Sequence, residues 1–296
     1  METKVTVMTD DIKLVGSLHL PDDVKAGERR PALICSHGFG GSRIDGSMAA
    51  VAPRLSSWGY PTLRFDMRGC GESGGERGRI IPKDQAYDLG NVIKLMAAQD
   101  GVDPEKIVLL GDSLGGAVSL YAGGTNKDVA GVISVGGWGN GSSKIKLQHA
   151  GPGMYDAYLD MIARGKAHKE KTGESLMVSR FDIVPIPEHM RAGLPSDAIM
   201  KFPADTAEAI HEFMPIDVIG NLAPRPLLLL HASRDRVTPT EASIEVFGHA
   251  NLPKDLVLMS DLDHFPLAAG NDRIYHIIRG WLNVYFPLVS GGAKAT

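Results

Sequence analysis

A serine crowded by glycines, a histidine and a carboxylate are the parts of a nucleophilic relay, and this sequence offers one set of them at usable places. The run "IVLLGDSLGGAVSLYAGG" (Ile107–Gly124) sets Ser113 between an apolar stretch and a small-residue stretch. In the pattern Gly-x-Ser-x-Gly, Gly111 and Gly115 leave the room that a serine needs at the tip of a sharp strand-to-helix turn. The following helix N-terminus aims backbone N–H groups outward beside the serine. The plainer reading of the same letters is a tight turn with Ser113 as helix N-cap; the partners below favour chemistry.

A serine hydroxyl is a weak nucleophile without a base. Of the ten histidines, His264 in "SDLDHFP" follows the last apolar run, in a loop before the final helix. His231 ends the preceding apolar run and is expected to pack in the sheet. His37 lies too near the glycine loop that follows it and is expected to be structural. The base needs an acceptor to hold its tautomer, and "HASRDRVTP" supplies Asp235 just after a strand. Asp261 and Asp263 flank the histidine, but folding Asp263 back onto its own neighbour is awkward. Two backbone N–H groups must face a developing oxyanion. Leu114, directly after the nucleophile, and Phe39, in "SHGFGGS" (Ser36–Ser42), are the expected donors, with Gly40 as second choice for the latter.

These residues need elements that bring them to one edge. "KVTVMT" (Lys4–Thr9) and "IKLVGSLHL" (Ile12–Leu20) flank Asp10-Asp11 and read as a hairpin. Short continuous apolar runs recur at Pro31–Gly38, Tyr60–Asp66, Lys106–Gly111, Ala130–Gly137, Arg225–Ala232 and Asp255–Ser260. Such runs are strands buried on both faces. Helical stretches separate most of them: Met48–Trp58, Lys83–Ala98, Leu114–Gly123 and Thr240–Phe247, with Arg273–Tyr285 closing the chain. The alternation predicts an α/β fold, an eight-stranded, mostly parallel sheet with helices on both faces. The loops after parallel strands all open at the carboxyl edge.

Between 138 and 215 the rhythm breaks. "GMYDAYLDMIARG" (Gly153–Gly165) and "PADTAEAIHEFM" (Pro203–Met214) are helical in pattern, and "MVSRFDIVPIPEHM" (Met177–Met190) is irregular or a short edge strand. The expected organisation is a core of residues 1–137 and 216–296 with a mainly helical cap, 138–215, after the sixth strand. Trp138, Met154, Tyr155, Tyr158, Met161, Phe181, Met190 and Phe213 are its candidates to line an acyl pocket; they are equally the ordinary filling of a small helical lid.

Bulk properties narrow the field. At 296 residues, 43% hydrophobic and 22% charged, the chain has ordinary globular composition. A net charge of −4 gives no reason to expect nucleic acid or an anionic membrane. No apolar run spans a bilayer and "METKVTVMTDDIKL" lacks a signal-peptide core, so a cytoplasmic location is expected. Cys35 and Cys70 make neither a disulfide framework nor a zinc site. No HExxH or His/carboxylate cluster suggests metal hydrolysis. Cys35 is expected in the core and Cys70 in a loop near the cleft.

The chain resembles the α/β-hydrolase superfamily. The resemblance rests on "HGFGGS" (His37–Ser42), "DMRGCGES" (Asp66–Ser73), "GDSLGG" (Gly111–Gly116), "SRDRVTP" (Ser233–Pro239) and "DHF" (Asp263–Phe265). It spans almost everything outside the 138–215 stretch. Within the superfamily the chain is similar to small serine esterases, including feruloyl (cinnamoyl) esterases, and to prolyl-oligopeptidase-type catalytic domains. The order Ser113, Asp235, His264 is the one expected for that fold. The resemblance implies a Ser-His-Asp triad, an acyl-enzyme intermediate and no cofactor. Asp66 and Arg68 are expected to organise their loop by local hydrogen bonds. Ser113 stands where haloalkane dehalogenases and epoxide hydrolases need a carboxylate, which disfavours those activities. The expected partner is a small ester or related acyl compound. Thioester, amide and diketone C–C cleavage remain open on the same parts, as does a ligand-binding receptor that keeps a hydrolase fold. A homodimer, paired through the eighth strand or the caps, is the expected assembly.

Overall fold

A computed structural model describes residues 2–192, 194, 198–267 and 271–288. The hairpin pairs β1 (Glu2–Thr9) with β2 (Ile12–His19), and β3 (Arg30–Ser36) follows. Helix α1 (Gly46–Ser57) leads to β4 (Thr62–Phe65), α2 (Pro82–Ala97) to β5 (Val102–Asp112), and α3 (Leu114–Thr125) to β6 (Gly131–Val135). The 138–215 stretch then builds α4 (Gly141–Gln148), α5 (Met154–Thr172), β7 (Met177–Ser179), α6 (Arg180–Ile183), α7 (Glu188–Arg191), β8 (Lys201–Pro203) and α8 (Ala204–His211). Two 3₁₀ turns (Pro215–Asp217, Ile219–Leu222) return the chain to β9 (Leu227–Ala232), α9 (Glu241–His249), β10 (Lys254–Met259) and α10 (Asp272–Tyr285).

Eight strands form one sheet in the order β1-β2-β4-β3-β5-β6-β9-β10. Within this sheet, among the described residues, only the β1–β2 and β2–β4 pairings are antiparallel. The buried strands read as continuous apolar runs because both faces are covered. Successive side chains point to opposite faces. Thus Ala32, Ile34, Ile107 and Leu109 meet α2 and α3, while Leu33, Cys35, Val108 and Leu110 share the second core with α1 and α10. Helix α3 is buried almost throughout, from Leu114 to Gly124, which is why its sequence is small and apolar rather than amphipathic.

The registers put the predicted site residues on one rim. Ser36 pairs with Gly111 across β3–β5, and Asp112 with Val135 across β5–β6. Ala232 pairs with Met259 across β9–β10. The glycine loop after β3, the turn after β5, the Asp235 loop after β9 and the His264 loop after β10 therefore leave parallel strands at the same edge.

The structure departs from the sequence expectation chiefly between 138 and 215. Helix α4 and strand β8 were not anticipated, and α5 continues past Gly165 to Thr172. The continuation "KAHKEKT" is polar all round its exposed end, so it carries no apolar periodicity to read. Strand β8 takes Pro203 from the expected helix and pairs antiparallel with β7, Met177 opposite Pro203.

Candidate active site

Ser113 sits at the tip of the β5–α3 turn with φ +54°, a left-handed conformation that non-glycine residues rarely adopt. The turn is closed too tightly for neighbouring side chains. A Cβ at Gly111 would lie 2.1 Å from the carbonyl oxygen of Gly115, and one at Gly115 would lie 2.3 Å from that of Ser36. Both contacts are with backbone, which cannot swing aside. Gly115→Ala should therefore lower stability by about 2–3 kcal/mol, read as a lower urea midpoint; an unchanged midpoint would mean that the turn relaxes at no cost.

The hydroxyl of Ser113 is 3.1 Å from Nε2 of His264. On the other side of the ring, Nδ1 lies 2.8 Å from Oδ2 and 3.0 Å from Oδ1 of Asp235. Asp235 is in turn held by its own loop: Oδ1 accepts from the backbone N–H of Val237 at 2.8 Å and of Thr238 at 2.7 Å. His231, buried at the end of β9, places Nε2 3.0 Å from the Thr238 carbonyl and 3.3 Å from Oδ2 of Asp235. It packs in the sheet and braces the carboxylate. Asp263 instead accepts from the N–H of Arg236 at 3.0 Å and of His264 at 2.9 Å, and Asp261 pairs with Arg234. His37 spans its loop, with Nδ1 2.8 Å from the Gly38 carbonyl and Nε2 accepting from the Met67 N–H at 3.0 Å.

Burial alone would depress the imidazole of His264, but the charge of Asp235 and its hydrogen bond outweigh this and hold the pKa above the ordinary 6.5. Burial likewise opposes ionisation of Asp235, yet His264 and His231 hold that carboxyl well below the usual carboxylate range. Only a neutral imidazole can accept a serine proton, so with His264 as the base kcat/KM on a small ester should fall as pH drops through a midpoint above 6.5. A rate–pH profile flat through that range would separate His264 from the rate.

Phe39 and Leu114 both line the cavity in front of Ser113. Among the described residues, neither N–H donates in a backbone hydrogen bond outside the helices and strands. The Phe39 loop is gripped from the 138–215 stretch: Arg180 donates to the Phe39 carbonyl at 2.7 Å and to the Ile199 carbonyl at 3.1 Å. The Phe39 ring stacks on Phe202, with centroids 4.4 Å apart. The cavity itself measures about 320 Å³, at the small end of ligand sites. Its walls are mainly apolar, with Met48, Trp138, Val184, Ile186, Ile210 and Val237 among them.

Of the eight side chains expected to line a pocket, Trp138 does so among the described residues. The others mostly serve packing. Tyr158, Met161 and Phe213 are buried in the core, and the Tyr158 hydroxyl donates to the Ala207 carbonyl at 2.8 Å. Tyr155 and Met190 are packed against that core, as is Phe181, while Met154 is exposed. Cys70 is buried and does not line the cavity, though it lies near the lining residues Arg180 and Asp45, and burial pushes its thiol up to about 12. Cys35 lies in β3, likewise pushed up to about 12. The Asp66–Arg68 loop is tied more widely than expected. Asp66 accepts from the N–H groups of Arg43 at 2.6 Å and Glu72 at 2.9 Å, while Arg68 reaches Asp88 on α2 at 2.6 Å.

Charged residues beside the site went unread in the sequence: Asp112, Lys144 and Arg180 all line the cavity. Burial, with Asp235 nearby, pushes the Asp112 carboxyl up to about 6. Among the described residues, no group of three or more His, Cys, Asp or Glu is placed to hold a metal ion, and no helix is long and apolar enough to cross a membrane.

A mostly parallel eight-stranded sheet of this order, with a Gly-x-Ser-x-Gly turn after β5, is the α/β-hydrolase fold. The crystal structure of the α/β hydrolase GrgF from Penicillium sp. sh18 superposes with a TM-score of 0.79 at 23% identity, covering 97% of this chain and all of that one. Residues 27–182 match the family model described as serine aminopeptidase, S33, and the chain belongs to that family, a hydrolase of the S33 type. Two curated relatives align over most of their length. An uncharacterized 31.7 kDa protein from the traX-finO intergenic region of Escherichia coli is 27% identical over 267 residues, 88% of this chain and 92% of its own. The thiohydrolase aneE of Aspergillus aculeatus is 26% identical over 285 residues, 88% of this chain and 86% of its own.

Proposed function

We propose that the protein hydrolyses small carboxylic esters through an acyl-enzyme on Ser113. The observation that carries this reading is the continuous relay from the Ser113 hydroxyl through His264 to Asp235, opening on a small, largely apolar cavity. Ser113 attacks the carbonyl carbon while His264 Nε2 takes its proton. The N–H groups of Phe39 and Leu114 hold the oxyanion. His264 then returns the proton to the leaving alcohol, and Asp235 stabilises the imidazolium throughout. Water, activated by the same histidine, releases the acid. The 138–215 stretch serves as the cap, since it supplies Trp138, Lys144, Arg180, Val184, Ile186 and Ile210 to the cavity wall.

Thioesters are the second reading, favoured by the similarity to a protein called a thiohydrolase. The relay is indifferent to the leaving atom, so the cavity decides. Turnover of p-nitrophenyl acetate and butyrate should be measured beside the matched acyl N-acetylcysteamine thioesters. Higher kcat/KM on the oxygen esters supports an esterase, and the reverse order a thioesterase. Tight ligand retention with no turnover of either would overturn both in favour of a receptor.

A further inference from the structure

The cavity in front of Ser113 contains an ammonium that forms no ion pair with a carboxylate among the described residues. Lys144, on α4, is only 4% exposed yet lines that cavity. Its Nζ carries three donors. Among the described residues one is used, toward Oε1 of Gln148 at 2.6 Å, and the Trp138 ring lies 5.8 Å away. The carboxylates that share the cavity have other tasks: Asp45 accepts from the Ser42 N–H at 2.6 Å, and Asp112 faces Ser47. Asp235 is committed to His264 and two backbone N–H groups. Around Lys144 donors outnumber acceptors further, since the buried Nε2 of Gln148 has no partner among the described residues. Burying a charge without an ion-paired partner is costly, and the carboxylates described in this wall, Asp45 and Asp112, do not pair with Lys144.

We infer that the substrate carries a second, anionic group, a carboxylate or its equivalent, which enters the cavity with the acyl bond and pairs with Lys144. The inference rests on the serine-hydrolase reading above and adds the substrate class. Burial pushes the ammonium down to about 7 against the pull of Asp235, the state that a bound anion would relieve. Arg180, also buried and with an Nε that has no partner among the described residues, adds positive charge to the same wall.

The test compares two matched pairs of esters on the full chain. With charge on the acyl side, p-nitrophenyl hydrogen adipate is set against its methyl ester. With charge on the alcohol side, 4-acetoxybenzoate is set against methyl 4-acetoxybenzoate. The free acid of at least one pair should have the higher kcat/KM, by about tenfold or more, as expected of a charge-assisted hydrogen bond. That acid-to-methyl-ester ratio should collapse in Lys144→Met and persist in Lys144→Arg, each variant being checked for fluorophosphonate labelling. A wild type that prefers the methyl ester in both pairs overturns the inference, with no variant needed. So does a ratio that Lys144→Met leaves unchanged. Hydrolysis of neutral esters alone would leave the serine reading standing while this one falls. Absence of all turnover together with absence of a fluorophosphonate adduct overturns both.

Discussion

Ser113→Ala should lower kcat on p-nitrophenyl acetate by about 10⁵–10⁶-fold, the loss seen when the nucleophile of such a relay is removed. The substitution deletes one oxygen and leaves the rest of the turn in place. Alanine must still adopt φ +54°, but serine bears the same Cβ, so the strain is unchanged and the variant should fold. Its circular dichroism and urea midpoint should match the wild type. The remaining activity would come from Phe39, Leu114 and the cavity acting on water. A variant that kept more than about a hundredth of the rate, far above the residue expected, would mean that another group attacks the ester.

Asp235→Asn should cost about 10⁴-fold in kcat with little change in fold. The amide can still accept from the N–H groups of Val237 or Thr238, which now meet Oδ1 at 2.8 and 2.7 Å. It can also present an NH₂ to Nδ1 of His264, and then Nε2 carries the proton and cannot accept one from Ser113. Loss of the negative charge removes what holds His264 above 6.5, so whatever rate survives should show its acid limb at lower pH. Asp263→Asn supplies the comparison. Asp263 bonds backbone N–H groups of Arg236 and His264 rather than the imidazole, and its replacement should change the rate less than about tenfold. A larger loss in Asp263→Asn than in Asp235→Asn would move the acid to the histidine's own loop.

How much of this was legible beforehand depended on how each feature is encoded. The core strands were readable because two-sided burial demands continuous apolar runs, as in "LLLLHA" (Leu227–Ala232). The Ser113 turn was readable because its glycines answer a steric demand measured in backbone contacts near 2 Å. Asp235 and His264 were readable because parallel strands send their loops to a common edge, which makes chain order a guide to position. Lys144 and Arg180 were not readable. Their helices are short, α6 spanning only Arg180–Ile183, and a lysine in "GSSKIKLQ" looks like a solvated residue until Trp138 and the cavity surround it. The aromatic and methionine side chains of the 138–215 stretch misled in the opposite direction. Their residue types suit a pocket, but Tyr158, Met161 and Phe213 fill the interior. Composition marks such residues as apolar without saying which apolar surface they meet.

The central claim is that Ser113 is activated by His264, and treatment with a fluorophosphonate followed by intact-mass measurement tests it most directly. The probe reports nucleophilicity at one atom and needs no knowledge of the natural substrate. A single adduct on the wild type, absent from Ser113→Ala, is the predicted result. An adduct that persists in Ser113→Ala would contradict the account.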